Sequence, residues 1–219
     1  TSPLVHNTEA LDKLLFMAGR GLPCTYNPVV LRGANGPITP AGAVALGNAG
    51  ELAGLVTAPL HSEDSARMVG ALRALGIGIE EQPGSGDFGP DLRIAPAPLR
   101  GGATVDCGLA GTVMRFIAPL AGLAHGDVLL TAHETALHRP MGAMIHALRD
   151  LGVDIEDSGS WSLPFTIRGR GHIRGGRIEI DASASSQFVS GLLLAAPRFD
   201  VGLHLVHTGE RLPSMPHID

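Results

Sequence analysis

In the stretch DASASSQFVSG, residues 181–191, serines and a glutamine cluster immediately ahead of an apolar run. If that run is a helix, its free backbone N–H groups and positive dipole end sit among hydroxyl and amide donors, a setting that suits phosphate or carboxylate oxygens. The same serines would also serve as plain helix N-caps, since Ser is among the best capping residues. The stretch alone leaves both readings open. A second start, GLAGT at 108–112, is neither G-x-G-x-x-G nor G-x-x-x-x-G-K-[ST], so it carries no nucleotide-binding signature and by itself reads as a turn. Arg115, one turn further on, is expected to be structural, bonding carbonyls or packing its aliphatic stem. In HRPMGAM, residues 138–144, Arg139 precedes a proline suited to a first helical turn, and its guanidinium is free to swing toward neighbouring loops and grip a carboxylate in a bidentate fashion.

Other chemistries find little support. The ten histidines form no H-E-x-x-H set, and His204 and His207 fall on a strand-like run, so no metal site is expected. Cys24 and Cys107 have neither metal-ligand spacing nor the numbers for a disulfide framework, which points to a reducing, cytoplasmic setting. No G-x-S-x-G elbow is present for a serine nucleophile. A net charge of -5 argues against a nucleic-acid surface but leaves room for a local cationic pocket. Of the sixteen cationic residues only Lys13 is lysine, so such a pocket would be built from arginine. No run reaches the ~18 apolar residues of a membrane span, and no basic-then-apolar leader opens the chain. Starting at Thr1 without Met and stopping on PSMPHID, the sequence reads as a fragment.

The elements that would position these residues come from an internal repeat. MVGALRALGIGIEE (68–81) matches MIHALRDLGVDIED (144–157), with Ala71-Leu72-Arg73 over Ala147-Leu148-Arg149 and Gly76 over Gly152. Further on, LRGGATVDCGLAGTVMRF (99–116) aligns with IRGGRIEIDASASSQFVSG (173–191). Each unit predicts a helix ended by a left-handed glycine cap, then a β-branched strand, a strand pair closing on Arg-Gly-Gly, and a second helix too apolar for a surface. Those second helices are expected to start at Gly111 and Ser186 and to be buried. DVLLTAHE and VGLHLVHTGE are the following strands, giving roughly β-α-β-α-β-β over about 75 residues, an α/β (α+β) fold. Asp64 is expected to cap its own helix. The repeat also places Ser62, Asp64 and Ser214 near one rim. Residues 1–56 lack the Arg-Gly-Gly turn and the Ala-Leu-Arg helix, and composition shifts near Val56. A small-residue helix there occupies about the place of a first-unit helix.

Taken together, GLAGTVMRF, HRPMGAMIHALRDLG, DASASSQFVSGLLLAAP and LPSMPHID make residues 57–219 resemble the first domain of the 3-phosphoshikimate 1-carboxyvinyltransferase (enolpyruvylshikimate-phosphate synthase) family, in an actinobacterial-like form. The resemblance implies repeated β-α-β-α-β-β units whose helix N-termini face a cleft between two domains. It implies transfer of the enolpyruvyl group from phosphoenolpyruvate to the 5-hydroxyl of shikimate 3-phosphate, with phosphate released and no metal or organic cofactor. It assigns the phosphate of shikimate 3-phosphate to Ser185 and Ser186, with Ser214 as a further donor, and has Gln187 bridge toward the enolpyruvyl group. Arg139 would clamp phosphoenolpyruvate, Gly111 and Thr112 would form a close-approach wall beside it, and His217 stands where tyrosine often lies near the shikimate ring. The family's first-unit Lys-Ser-x-x-x-Arg helix has no counterpart upstream of Thr57, and the second domain with its acid/base groups is absent. The fragment is therefore expected to hold no catalytic residue and to be inactive alone.

Residues 1–56 instead resemble a segment of the corrinoid-dependent trimethylamine methyltransferase family, a barrel fold that so short a slice cannot close. The chain thus reads as a chimera or fragment in which a foreign segment replaces the first unit. Two alternatives stand beside the transferase reading. One is a non-catalytic anion-binding or structural α/β module. The other is a relative of UDP-N-acetylglucosamine enolpyruvyl transferase, which would carry a reactive loop cysteine; Cys107, ahead of GLAG, is not in that context.

Overall fold

The structure is a computed structural model and describes residues 54–57, 59, 61–84, 90–95 and 97–210. The first group of elements is strand β1 (Gly54–Val56), helix α1 (Glu63–Ala74), β2 (Gly78–Gln82) and β3 (Asp91–Ala95). The second is β4 (Ala103–Asp106), α2 (Gly111–Gly122), β5 (His125–Thr131), the short α3 (Glu134–Leu137), α4 (Gly142–Asp150), β6 (Asp154–Glu156) and β7 (Phe165–Arg170). The third is β8 (Gly176–Ile180), α5 (Gln187–Ala195), a 3-10 turn (Ala196–Arg198) and β9 (Leu203–His207). All of these lie within one compact unit of the chain.

The second group, read from β4, has the order β-α-β-α-β-β that the sequence predicts, apart from the extra turn of α3. Its strands form one sheet in the order β4-β5-β7-β6. In it β4 runs parallel to β5, while β7 runs antiparallel to both β5 and β6. The first sheet, β1-β3-β2, repeats three of those places. Gly54, Leu55 and Val56 pair with Ile94, Arg93 and Leu92, as Val128, Leu129 and Leu130 pair with Ile167, Thr166 and Phe165. β1 is thus the counterpart of β5. The third sheet holds parallel β8 and β9, the counterparts of β4 and β5.

The helix ends are built alike in the first two groups. After α1, Gly76 adopts φ +95°, its N–H bonds Arg73 O at 2.9 Å, and Ile77 N–H bonds Leu72 O at 3.0 Å. After α4, Gly152 has φ +89°, with Gly152 N–H on Arg149 O and Val153 N–H on Leu148 O, both at 2.9 Å. A side chain would strain this left-handed cap, which glycine tolerates. The repeated arginine also has a common role: Arg73 Nη2 bonds Ile79 O at 2.8 Å and Arg149 Nη2 bonds Ile155 O at 2.8 Å. Each arginine ties its helix to the strand that follows.

Of the two second helices α2 is buried, as its composition requires, while α5 buries Phe188, Val189, Gly191, Leu192 and Ala195 and leaves Gln187, Ser190, Leu193 and Leu194 partly exposed, contrary to expectation. In α2, Val113, Met114 and the run Phe116–Gly122 are all buried, and the helix packs on α1, α4, α5, β5 and β7. Pro119 lies inside it and has no N–H to offer Arg115 O, the acceptor four residues back. At that carbonyl α5 comes close: a Cβ built on Gly191 would lie 2.6 Å from Arg115 O. Glycine is required there by space rather than by conformation.

Three local expectations are corrected. Helix α5 begins at Gln187 with Ser186 as its N-cap residue, one position later than expected. Helix α1 is capped by Ser62, whose hydroxyl accepts from Ser65 N–H at 3.2 Å, so Asp64 sits inside the first turn and does not cap. Pro140 precedes the N-cap Met141 rather than occupying the first turn of α4. The fixed proline ring thus stiffens the turn that carries Arg139.

Candidate functional site

The loop between β4 and α2 is held from both sides. Asp106 Oδ1 accepts Gly108 N–H at 2.8 Å, its other oxygen pairs with Arg67 of α1, and Gly108 O accepts His133 N–H at 3.1 Å. Helix α2 therefore starts from a fixed turn, and its N-cap residue Ala110 supplies no side-chain acceptor, so the first-turn N–H groups lack a cap. Helix α5 packs beside it. Its N-cap residue Ser186 makes no side-chain cap bond, while Ser185 Oγ accepts Gln187 N–H at 3.3 Å.

Gly111 marks the point where the groups meet. A Cβ placed on it would lie 3.3 Å from Arg139 Nη1, 3.4 Å from Arg115 Nη1 and 3.8 Å from Gln187 Oε1. Two guanidinium groups thus crowd one glycine. Among the described residues, neither forms an ion pair. Arg139 is exposed and donates from Nη1 to Leu109 O at 2.7 Å, which holds it over the loop ahead of α2. Arg115 is half-buried. Burial first, and then the neighbouring charge of Arg139, press its pKa below the usual guanidinium value, though a guanidinium keeps its proton in proteins. Two like charges held together without a carboxylate leave a positive potential that an anion would neutralise.

Arg115 departs from its expected role. Its Nη1 donates to Gln187 Oε1 at 2.5 Å and to Ser185 Oγ at 3.4 Å, not to backbone carbonyls. Its guanidinium stacks over the Phe188 ring at 4.9 Å, and its buried Nε has no hydrogen-bond partner among the described residues. The signal that could have found it is spacing: four residues after Gly111, it lies one turn along the same helix face. Thr112, in contrast, is turned toward α1, where its hydroxyl donates to Asp64 Oδ2 at 3.3 Å. Gly111, Arg139, Ser185 and Gln187 are therefore brought together, while Ser186, between the last two in sequence, makes no side-chain cap bond. Ser214 and His217 lie outside the described residues.

The remaining polar candidates have other occupations. His207, on β9, bonds Glu210 O through Nε2 at 2.6 Å and has Ile180 O 3.1 Å from Nδ1. Among the described residues no group of three or more His, Cys, Asp or Glu side chains converges to hold a metal ion, and no helix is long and apolar enough to cross a membrane. Cys107 is buried at the end of β4. Burial, helped by Asp106, pushes its thiol up to about 12 against the opposing effect of Arg67, so it is no nucleophile.

The profile of the family described as EPSP synthase (3-phosphoshikimate 1-carboxyvinyltransferase) matches residues 43–219. The chain belongs to the EPSP synthase family. A second profile, Trimethylamine methyltransferase (MTTB), matches residues 1–80, so the two overlap over 43–80. A 3-phosphoshikimate 1-carboxyvinyltransferase of Kocuria rhizophila is 52% identical over 170 residues, covering 75% of this chain and 38% of that protein. Two solved structures of EPSP synthase from Acinetobacter baumannii each align with a TM-score of 0.60 at 25% identity, covering 75% of this chain and 37% of theirs. The chain thus spans under two fifths of these relatives. The similarity to solved EPSP synthases accords with the α/β repeat architecture.

Proposed function

We propose that this chain carries one anion-binding face of an EPSP synthase, the enzyme that moves the enolpyruvyl group of phosphoenolpyruvate onto the 5-hydroxyl of shikimate 3-phosphate. The observation that carries the reading is the meeting of Arg115, Arg139, Ser185 and Gln187 at Gly111, beside two helix N-termini, without a carboxylate partner among the described residues. Both proposed substrates bear a phosphate and a carboxylate. Bringing them together requires positive charge that is fixed before they arrive, and oriented arginines and helix ends provide it without reorganisation.

In this reading Ser185 and Ser186 donate to the phosphate of shikimate 3-phosphate, with Ser214 as a further donor and His217 beside the ring. Arg139 holds phosphoenolpyruvate through one of its anionic groups, and Gly111 leaves the room that a side chain would fill. Gln187 lies between the two. Thr112 has a smaller part, because its hydroxyl is engaged with Asp64. The reaction adds the 5-hydroxyl oxygen to C2 of phosphoenolpyruvate as the hydroxyl loses its proton and C3 gains one; C3 then loses a proton as the bond from C2 to the phosphate oxygen breaks, which restores the double bond and releases phosphate. The residues described here neutralise and orient; the proton transfers are proposed to need groups from the greater part of the relatives' length that this chain does not match. Turnover by the chain alone is therefore not expected. The cytoplasm, the setting of small phosphorylated metabolites, is its proposed location.

The methyltransferase-like segment, which the sequence alone ends at residue 56, is proposed to be joined to an EPSP synthase portion. The equivalence of β1 with β5 favours placing that junction before Gly54. Calorimetric titration of the whole chain with shikimate 3-phosphate tests the main reading. Saturable heat that is abolished in Ser185→Ala/Ser186→Ala is the expected result. No heat from the wild-type chain, at protein concentrations suited to millimolar affinity, would refute it.

A further inference from the structure

We infer that Arg115 is a positioning residue that fixes the hydrogen-bond polarity of the site, turning Gln187 and Ser185 into donors. The inference rests on the anion-site reading above and deepens it. A carboxamide presents both a carbonyl acceptor and two N–H donors, and a serine hydroxyl can either accept or donate. An anion accepts only donors, so both groups must be set correctly before it binds. Arg115 has donors and no acceptor, and its Nη1 lies 2.5 Å from Gln187 Oε1 and 3.4 Å from Ser185 Oγ.

The consequence follows from counting lone pairs and protons. With Oε1 of Gln187 occupied by the guanidinium, both Nε2 hydrogens are left for another acceptor. Ser185 Oγ already accepts from Arg115 and from Gln187 N–H at 3.3 Å. Its two lone pairs are then in use and its own proton is the group left to offer. One arginine thus sets two ambivalent side chains in the same sense.

The arginine itself is fixed to do this. Its backbone carbonyl meets the close approach of Gly191, its helix is buried on most of its surface, and its guanidinium lies over Phe188 at 4.9 Å. The like charge of Arg139, whose Nη1 crowds the same glycine, opposes a swing toward that neighbour. Both bonds leave from Nη1, and a flexible lysine would keep the charge but lose the planar stacking on Phe188 that holds that donor in place.

The test is a double-mutant cycle on the whole chain, read by titration with shikimate 3-phosphate. Arg115→Met should weaken binding about tenfold, the scale of one hydrogen bond to a charged group. In a Gln187→Ala background the same substitution should cost no more than about threefold, because the group it orients is gone. An equal loss in both backgrounds would overturn the inference, since Arg115 would then act on the ligand directly or as bulk charge. If Arg115→Met fails to fold, Arg115→Lys is read in the same cycle, with the same two outcomes.

A ligand-free measurement separates this inference from the function it rests on. Gln82 and Gln187 are the two glutamines of the chain, so the Gln187 carboxamide pair is assignable by NMR. In the wild-type chain it should resonate away from free glutamine, and in Arg115→Met it should move to the free position. Unmoved resonances would overturn the positioning role even if shikimate 3-phosphate binds. Moved resonances with no wild-type heat would support the orientation while refuting the proposed ligand.

Discussion

Replacing Gly191 with alanine puts a methyl group where α5 meets the α2 backbone. The new Cβ would lie 2.6 Å from Arg115 O, with Met144 Cε a further 3.3 Å neighbour. Carbon contacts settle at about 3.5 Å, so the two helices must part by roughly 1 Å. The obstacle is backbone, which cannot rotate away as a side chain would. Overpacking of this kind costs about 1–3 kcal/mol, and at roughly 2–4 °C per kcal/mol for a chain of this size the melting midpoint should fall by several degrees. Circular dichroism on the wild type and Gly191→Ala reads this directly. The same displacement moves Arg115 relative to Gln187, so the variant should also bind anions more weakly than its residual stability would suggest. A midpoint equal to that of the wild type would refute the close approach, and with it the argument that the Arg115 backbone is held.

Gly111→Ala makes the opposite case: its Cβ meets only the ends of Arg139, Arg115 and Gln187, so stability should change by less than about 1 kcal/mol while titration with phosphoenolpyruvate weakens or vanishes. Asp157 gives a pH signature. Burial pushes its carboxyl up, but the bond from Arg149 at 2.9 Å, the Gly159 N–H, the Arg149 charge and the Trp161 N–H together outweigh burial and hold it below the usual value. A carboxyl lowered by folding contributes stability above its unfolded pKa of about 3.9 and loses it as pH falls through the folded value. Urea unfolding should therefore find Asp157→Asn weaker than wild type at pH 7, with the gap closing toward pH 2; a constant gap would contradict the assignment. Cys107, with its thiol raised to about 12, should resist iodoacetamide at neutral pH in the folded chain and react in urea, as peptide mass spectrometry would report.

The repeat was legible because its signals are local. A left-handed glycine after an amphipathic run, and β-branched residues after that glycine, depend on neighbours in sequence, and Gly76 and Gly152 behave alike for that reason. The burial of α2 was legible because a run such as IAPLAGLA has no polar face to give to water. Arg115 was not, since its role depends on Gln187, 72 residues further along, and on which face of α5 lies opposite. The same applies to Asp64, which nothing nearby distinguishes from a cap, yet which reaches Thr112 across 48 residues. Strand β1, three residues long, carries too little alternation to announce itself, and only its register with β3 reveals its place. Arg73 and Arg149 were visible as a matched pair, but the carbonyls they hold were not.

That matched pair bears on how the molecule opens. The first two groups each carry a glycine cap and an arginine tie, and the sheet β4-β5-β7-β6 is drawn entirely from residues 103–170. Among the described residues no strand ladder joins it to β1, β2 or β3, and the isolated bridge from Arg100 to His125 only continues the β4–β5 register. Breaking that sheet therefore disturbs its neighbours through helix packing rather than through shared strands. Amide exchange should then proceed sheet by sheet, with α2 as the last element to give up its protons, because every unit leans on it.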